Sequence, residues 1–279
     1  MKTLIFILIL FNFTNSIAQS SIEYNKKGNF KLTFGEYYEA ISYFNKAIQL
    51  DSNFAEAYFG RAKAREKIGA KEEALSDLNK AIKLNPNFVD GYFERGKVKA
   101  NLGDYDGAIR DQTKAIELRS NFADAYFERG VIKFNSNDYK SAITDFDYAI
   151  DLNTKELLIA YSLRGDAKFA LEEYFECILD YNKVIELVGG VDKINIASGY
   201  AYYGLFYRAY AKLQIKDYSG AMVDCSKCIS LDPKSSASYL WRGECKIGLN
   251  SYNNACLDFQ RAYELGDKEA PQFIKKYCR

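Results

Sequence analysis

The chain has 279 residues, of which 38 are Lys or Arg and 37 are Asp or Glu, so its net charge is close to zero. This balance argues against the clustered basic surface with which proteins neutralise nucleic-acid phosphates, and against a polybasic membrane-surface protein. The sequence contains no His, the usual general base and the commonest metal ligand, and only 3 Pro, which fits a mostly helical chain.

The first eighteen residues have the pattern of a secretory signal peptide. Lys2 provides a positive start, residues 4–13 are almost all apolar, and Ser16 and Ala18 are small residues of the kind a signal peptidase reads. The alternative is an uncleaved anchor, but a membrane-spanning helix needs about 20 apolar residues. No Cys stands at the cleavage point, so a lipoprotein is disfavoured. We predict cleavage between Ala18 and Gln19, a periplasmic or secreted protein, and no stable membrane insertion after cleavage.

From residue 21 onward the sequence repeats with a period of 34 residues. Repeats start near residues 21, 55, 89, 123, 158, 202 and 236, with an insertion at about 188–200 before the sixth. Apolar and small residues recur at fixed positions, which in the first repeat are Tyr24, Gly28, Tyr37, Ala40, Phe44 and Ala47. This spacing predicts two amphipathic helices per repeat. Helices this short are marginal alone in water, so neighbouring repeats must stack to bury their apolar faces.

These residues resemble the tetratricopeptide repeat family at its signature positions four, eight, twenty, twenty-four, twenty-seven and thirty-two. The resemblance runs from residue 21 to about residue 265. It implies an all-α, right-handed superhelical α-solenoid of seven helix pairs within residues 19–266, followed by a C-terminal capping helix at 267–279. A Gly or Asn near the middle of most repeats predicts a left-handed turn between the paired helices, but Glu172 and Lys216 weaken this signal in repeats five and six.

A charged ladder runs through six of the seven repeats. Arg at position seven comes in step with Asp at position twenty-three, which gives the candidate pairs Arg61 with Asp77, Arg95 with Asp111, Arg129 with Asp145, Arg164 with Asp180, Arg208 with Asp224, and Arg242 with Asp258. Repeat one has neither residue and carries Lys27 and Tyr43 instead. We predict a structural, buried ion pair in each of the six repeats; the alternative is a row of cationic ligand contacts. A further basic row, beginning with Lys31 and Arg65, lies four residues further along the same helix. We expect this row at a solvated edge, with sharing of the same Asp as a further possibility.

The six Cys all lie in the second half of the chain. Cys225 and Cys228 have the spacing of a redox motif or half of a zinc site. They occupy core positions in mid-helix, however, whereas a redox pair needs a helix N-terminus, so we predict a structural role. With no second such pair and no His, neither a metal nor another cofactor is predicted. Cys256 and Cys278 are the best candidates for a disulfide, which would tie the capping helix to repeat seven.

The resemblance also implies a binding face, because the first helix of each repeat lines the concave side in this family. The candidate groove residues are Phe59, Lys63, Phe93, Lys97, Phe127, Phe206, Tyr210 and Leu240. An aromatic residue at position five is common in the family whatever the ligand. The carboxylate clamp of chaperone-binding members needs a Lys where this chain has Asn25, so that activity is disfavoured.

The functional prediction is a non-catalytic scaffold that binds an unidentified protein or peptide segment in this groove. The alternative is glycan or small-ligand binding through the aromatic row. Catalysis is disfavoured because the sequence offers no nucleophile with a base, no metal constellation and no Gly-rich phosphate loop.

Overall fold

The computed structural model describes residues 19–194 and 199–278, and these residues are helical without any β-strand. The predicted signal peptide and the centre of the insertion, residues 195–198, lie outside the described residues. Among the helices described, none is both long and apolar enough to span a membrane.

Fifteen α-helices follow one another along the described chain. Residues 19–33 are helical and are called α1. The others are α2 (Tyr37–Leu50), α3 (Ala55–Lys67), α4 (Lys71–Leu84), α5 (Val89–Asn101), α6 (Tyr105–Leu118), α7 (Ala123–Asn135), α8 (Tyr139–Asp151), α9 (Leu157–Ala170), α10 (Tyr174–Leu187), α11 (Tyr200–Gln214), α12 (Tyr218–Leu231), α13 (Ser236–Gly248), α14 (Tyr252–Glu264) and α15 (Ala270–Tyr277).

The helices pair and stack in chain order within two compact units, Met1–Ile132 and Lys133–Arg279. In the first unit α3 pairs with α4 and α5 with α6; in the second α9 pairs with α10, α11 with α12 and α13 with α14. First helices of neighbouring repeats also touch one another: α3 contacts α5, α9 contacts α11, and α11 contacts α13. Within each unit the first helices therefore form one layer, which is where the predicted binding residues stand.

In each of the seven repeats, the turn between the two helices contains one residue with a left-handed backbone conformation. Gly69 and Gly103 adopt φ values of +81° and +85°, as expected for glycine. Glu172 and Lys216 adopt φ values of +61° and +65° at the same position, although their side chains disfavour that conformation. The turn is closed by backbone bonds such as the 2.9 Å bond from the N–H of Asp217 to the carbonyl of Lys212. The helix pairing thus imposes a turn that the local sequence alone predicted weakly.

The insertion and the C-terminus complete the second unit. Residues Val191–Lys193 form a short 3₁₀ helix, and Ile194 packs with Val184 and Leu205 in a buried cluster. Helix α11 begins at Tyr200, two residues before the predicted start of repeat six, so part of the insertion extends the helix. At the end of the chain α15 packs on α14, with Phe273, Ile274 and Tyr277 against Phe259 and Ala262. The predicted disulfide between Cys256 and Cys278 is confirmed.

Candidate functional site

The Arg and Asp residues of the ladder form two-point ion pairs inside their repeats. In repeat two, Nε and Nη2 of Arg61 donate to the two carboxylate oxygens of Asp77 at 2.9 and 2.6 Å, and Asp77 is only 3% exposed. The same arrangement joins Arg95 to Asp111, Arg164 to Asp180, Arg208 to Asp224, and Arg242 to Asp258. The planar guanidinium matches a carboxylate in this geometry, and both oxygens are satisfied by one side chain.

Each ladder Asp also binds the basic residue four positions after the Arg. In repeat six, Nζ of Lys212 lies 2.8 Å from Oδ2 of Asp224. Equivalent ion pairs are Arg65 with Asp77, Lys99 with Asp111, Lys133 with Asp145, Lys168 with Asp180, and Lys246 with Asp258. In repeats two, three, five, six and seven, each buried Asp carboxylate therefore forms ion pairs with two basic side chains of its own repeat.

The ladder also joins neighbouring repeats through the third guanidinium nitrogen. Nη1 of Arg61 donates to Oδ1 of Asn45 on the second helix of the preceding repeat, at 2.6 Å. The same link is made from Arg95 to Asn79, Arg129 to Thr113, Arg164 to Asp147, and Arg208 to Asn182. In repeat seven the corresponding acceptor would be Ser226, whose hydroxyl instead donates to the carbonyl of Met222 at 2.8 Å. The ladder Arg residues therefore bond both within their own repeat and to the preceding one.

Arg129 belongs to the first compact unit and Asp145 to the second. Arg129 donates to Oγ1 of Thr113 at 2.9 Å. Asp145 is 1% exposed and lies 2.7 Å from Nζ of Lys133.

The first unit carries a row of aromatic rings with Lys above them. The rings of Phe59 and Phe88 are 4.8 Å apart, as are those of Phe93 and Phe122. Nζ of Lys63 lies 5.5 Å from the centre of the Phe59 ring, and Nζ of Lys97 lies 5.4 Å from that of Phe93. These four predicted residues are half-buried and lie together on the first helices.

Two of the predicted groove residues offer little surface to a ligand. Leu240 is 4% exposed because it packs in the cluster of Ala255, Phe259 and Ala270, and Phe127 is 7% exposed. Their positions on the first helices correspond to those of Phe59 and Phe93, but here the side chains contribute to the core. The repeat pattern predicted which helix face Leu240 and Phe127 lie on, but not how deeply the two side chains are buried.

The second unit has a different aromatic cluster on its first helices. The rings of Phe206 and Tyr210, both predicted groove residues, lie 4.6 and 4.9 Å from the ring of Trp241. Phe169 contacts Tyr210 at 5.6 Å and Tyr207 at 5.1 Å. Trp241, Phe169 and Tyr207 were not among the predicted site residues.

A cavity of about 240 Å³ opens beside this cluster and is lined by Phe134, Asp166, Phe169 and Tyr207. The hydroxyl of Tyr181 donates to Oδ1 of Asp166 at 2.8 Å. Burial raises the pKa of Asp166 to about 6, although the hydrogen bond from Tyr181 acts in the opposite direction. In the sequence, the one indication of this site was the charged residue at position nine of repeat five, Asp166. The three rings come from three different repeats, so no single repeat shows them together.

A second pocket of about 320 Å³ lies near the C-terminal helix, with Glu244, Lys216, Phe273 and Tyr277 in its wall. Burial raises the pKa of Glu244 to about 7, and the neighbouring Glu269 and Asp267 add to this effect. The layer of first helices in the second unit thus combines aromatic rings with partly buried carboxylates.

The four Cys outside the disulfide, Cys177, Cys225, Cys228 and Cys245, are buried thiols. Burial raises the pKa of both Cys177 and Cys228 to about 12, so neither supplies the thiolate that nucleophilic attack or metal binding requires. The part of the chain that the structure describes has no group of three or more His, Cys, Asp or Glu able to hold a metal ion.

Comparison with known proteins places this helix pairing in a known class. A sequence model of the TPR repeat matches residues 34–69 and 67–103, and one of the tetratricopeptide repeat matches residues 93–156. A stretch of 111 residues is 31% identical to DnaJ homolog subfamily C member 7 of Mus musculus, covering 40% of this chain. The match spans only 20% of that relative's length.

Solved structures share the fold. The C-terminal part of a TPR repeat-containing protein from Cytophaga hutchinsonii has a TM-score of 0.65 and 22% identity, covering 88% of this chain and 98% of that one. YrrB, described as a TPR protein with an unusual peptide-binding site, has a TM-score of 0.62 and 18% identity, covering 71% of this chain and 97% of that one. Residues 34–156 are therefore tetratricopeptide repeats, and the described chain has the fold of an α-solenoid of tetratricopeptide helix pairs followed by a C-terminal helix.

Proposed function

We propose that this protein is a non-catalytic scaffold that binds a protein or peptide segment on its layer of first helices. The observation that carries the proposal is the row of half-buried rings and Lys side chains in the first unit, at Phe59, Lys63, Phe93 and Lys97. The ladder cations are occupied by buried Asp, so the groups of this row that a partner could contact are its half-buried rings and its Lys side chains. Aromatic side chains that become buried on binding commonly dominate the affinity of such surfaces.

The periodic placement of the row favours an elongated partner. Equivalent residues of repeats two and three recur after 34 residues, on first helices that contact each other. An extended segment crossing these helices would therefore meet the same pair of side chains twice. In support, one protein of the same fold, YrrB, is described as having an unusual peptide-binding site.

Glycan or small-ligand binding through the same rings is the second candidate. It draws on the same exposed aromatic surface, since sugar rings stack on aromatic faces. The cationic Lys above each ring favours a peptide with acidic or carbonyl groups over a neutral sugar, because a glycan would have to displace those side chains.

We also propose that the protein acts outside the cytoplasm, in the periplasm or after secretion. The pattern of residues 1–18 supports export, and the disulfide between Cys256 and Cys278 is suited to an oxidising compartment. Edman sequencing or intact mass of the exported protein is expected to give Gln19 as the first residue; an intact N-terminus in the exported form would contradict cleavage.

The binding proposal is tested by probing the mature protein on a peptide array and on a glycan array. Phe59→Ala with Phe93→Ala is expected to lower peptide binding more than about tenfold, since each aromatic anchor contributes about 2 kcal/mol or more. Tyr38→Ala is the matched control, because Tyr38 is 77% exposed on a second helix. Lys63→Glu with Lys97→Glu probes the same face without removing any packed ring. Saturable binding to glycans alone, or peptide binding unaffected by both double variants, would reject this face as the site.

A further inference from the structure

The cavity beside Asp166 differs from the aromatic row of the first unit in the charge it carries. In repeats two and three, position nine is Lys63 or Lys97, and its ammonium group lies above the ring of the position-five Phe. In repeat five, position nine is Asp166, which shares its cavity with the rings of Phe134, Phe169 and Tyr207. The first unit thus supplies its own cations to its rings, whereas this cavity has rings and a carboxylate.

Asp166 has a hydrogen-bond donor but no cation. Tyr181, which does not itself line the cavity, donates to its Oδ1 at 2.8 Å. The two basic residues nearest in sequence, Arg164 and Lys168, are both bound to Asp180, at 2.5 and 2.8 Å, and belong to the ladder. Across the described chain no Lys or Arg lies within ion-pair distance of Asp166, in contrast to every ladder Asp.

The Tyr181 hydroxyl also orients the carboxylate. Position twenty-four packs against the first helix and is Phe in repeats one and seven; here it is a fully buried Tyr, and among the described residues its hydroxyl has Asp166 as its one hydrogen-bond partner. This bond uses Oδ1, so Oδ2 is left to accept from a group that enters the cavity. Burial of this carboxylate costs free energy that a bound cation would offset.

We propose that this cavity binds the cationic side chain of an Arg or Lys residue in the partner segment. The inference rests on the proposed function and adds the chemistry of one contact to it. A guanidinium or ammonium group would donate to Asp166 and lie against the faces of Phe169 and Tyr207, whose π-systems attract cations. A volume of about 240 Å³ holds such a group together with the methylenes next to it.

The contact is tested with a probe that does not depend on any peptide. Nα-acetyl-arginine amide is titrated into the mature protein, and Nα-acetyl-citrulline amide serves as its neutral isostere. Binding is followed by NMR and by the fluorescence of Trp241, the single Trp of the chain, which contacts Tyr210 next to the cavity. The arginine probe is expected to bind about tenfold more tightly, as a hydrogen bond between charged groups contributes about 1.5 kcal/mol or more.

Asp166→Asn keeps the shape of the side chain and removes its charge, so the preference for arginine over citrulline should fall below about twofold. Glu176→Gln is the control, since it removes an exposed carboxylate of the same repeat that does not line the cavity. Tyr207→Leu should weaken the arginine probe while leaving Asp166 in place. Circular dichroism checks that each variant is folded.

Equal binding of the two probes, undetectable binding of both, or an unchanged preference in Asp166→Asn would overturn the inference. These outcomes are distinct from failure of the scaffold proposal. Peptide-array binding without enrichment of Arg or Lys would leave the scaffold standing and remove only this contact. If the protein binds the arginine probe selectively but captures no peptide on the array, the cavity contact is supported and the scaffold proposal is rejected.

Discussion

Within a repeat, the size of the residue at position eight of the first helix is matched to that of the residue at position twenty-four of the second helix. Positions eight and twenty-four face each other: Gly28 lies against Phe44, Gly96 against Gln112, Gly165 against Tyr181 and Gly243 against Phe259. Repeats two and six have Ala at position eight, and their position twenty-four holds the smaller Leu78 and Cys225. A glycine here is therefore needed for the close approach of a large buried side chain.

Replacing Gly243 with Ala is expected to destabilise the protein. A Cβ at Gly243 would lie 2.5 Å from Cε1 of Phe259, which is fully buried and has little room to move. We expect a loss of about 1–3 kcal/mol, reduced by the better helix propensity of Ala. Urea unfolding measures this loss. Combining Gly243→Ala with Phe259→Leu recreates the pairing of repeat two, so the double variant should be more stable than the sum of the single changes; strict additivity would contradict the size match.

The ionised Asp166 carboxylate costs stability, and the cost depends on pH. Its pKa in the native state is about 6, above the ordinary value of 3.8, so protonation favours folding and this contribution is lost as pH rises through 6. Asp166→Asn should therefore raise the free energy of unfolding at pH 8 by roughly 1–3 kcal/mol, and by much less at pH 4. Urea unfolding of the wild type and the variant at both pH values measures the difference. Glu176→Gln is the charge-matched control, and an equal effect at the two pH values would speak against a buried carboxylate.

At the scale of helices, the ladder joins three elements in repeats two, three, five and six. Arg208 on α11 binds Asp224 on α12 of its own repeat and Asn182 on α10 of the preceding one. The in-step occurrence of Arg and Asp predicted the contact between Arg208 and Asp224 within the repeat. The link to the preceding second helix was not predicted, because it depends on how successive repeats stack.

Removing one partner of a buried ladder pair should be far more costly than removing both. Arg208 and Asp224 are 8% and 1% exposed. Asp224→Leu leaves Arg208 and Lys212 without their shared carboxylate, and we expect a loss of about 3–5 kcal/mol. A double-mutant cycle with Arg208→Met measures the coupling by chemical denaturation. The double variant should lose clearly less than the sum of the single losses; additive losses would show that the two charges act independently.

The junction of repeats six and seven is weaker than the others in one respect. Arg242 has no hydrogen bond to Ser226 in the described structure, whereas Asn45, Asn79 and Asn182 accept from the corresponding Arg of the next repeat. Ser226→Asn should supply the missing acceptor and stabilise the protein by about 0.5–1.5 kcal/mol. Thermal unfolding measures the gain, which should vanish when Arg242→Met is present. A gain that persists without Arg242 would assign the effect to helix propensity.

The parts of the fold that follow from local pattern were predicted, and those set by several repeats together were not. Period and helix spacing predicted the pairs, and Cys256 and Cys278 were correctly matched from their positions in the last repeat and the cap. The depth of burial of Leu240 depends on the packing of α15 over repeat seven, which the position of Leu240 in its repeat does not encode. The cavity beside Asp166 needs rings from three first helices, so no single repeat contains its signature.

At the scale of the whole molecule, the two units present different chemistry on their first helices. The first unit combines Phe rings with Lys63 and Lys97, and the second combines Phe, Tyr and Trp rings with Asp166 and Glu244. The near-zero net charge of the chain conceals this difference. Because Lys97 is itself paired with Glu94 at 3.2 Å, the difference is clearest between Lys63 in the first unit and Asp166 in the second.

The proposed export and the disulfide at the C-terminal end can be tested together. Cys256 on α14 and Cys278 after α15 are 22 residues apart in the sequence. The disulfide between them holds the eight-residue helix α15 against Phe259 and Ala262. A disulfide that closes a loop of this size stabilises the folded protein by about 3 kcal/mol, because it restricts the conformations of the unfolded chain. Protein exported with residues 1–18 is expected to contain four free thiols after denaturing alkylation, and protein made in a reducing cytoplasm without them is expected to contain six. Intact mass spectrometry counts the labels.

The same two preparations should differ in stability, since only the exported one carries the crosslink. The exported form should unfold at a higher temperature, and reductant should lower its Tm to that of the cytoplasmic form. Hydrogen exchange should locate the change in α14 and α15, because the short helix α15 frays once its covalent tie is removed. Cys256→Ala with Cys278→Ala is the control in which export and reduction make no difference to Tm. Six labelled thiols in the exported protein would contradict both the oxidising location and the covalent closure of the array.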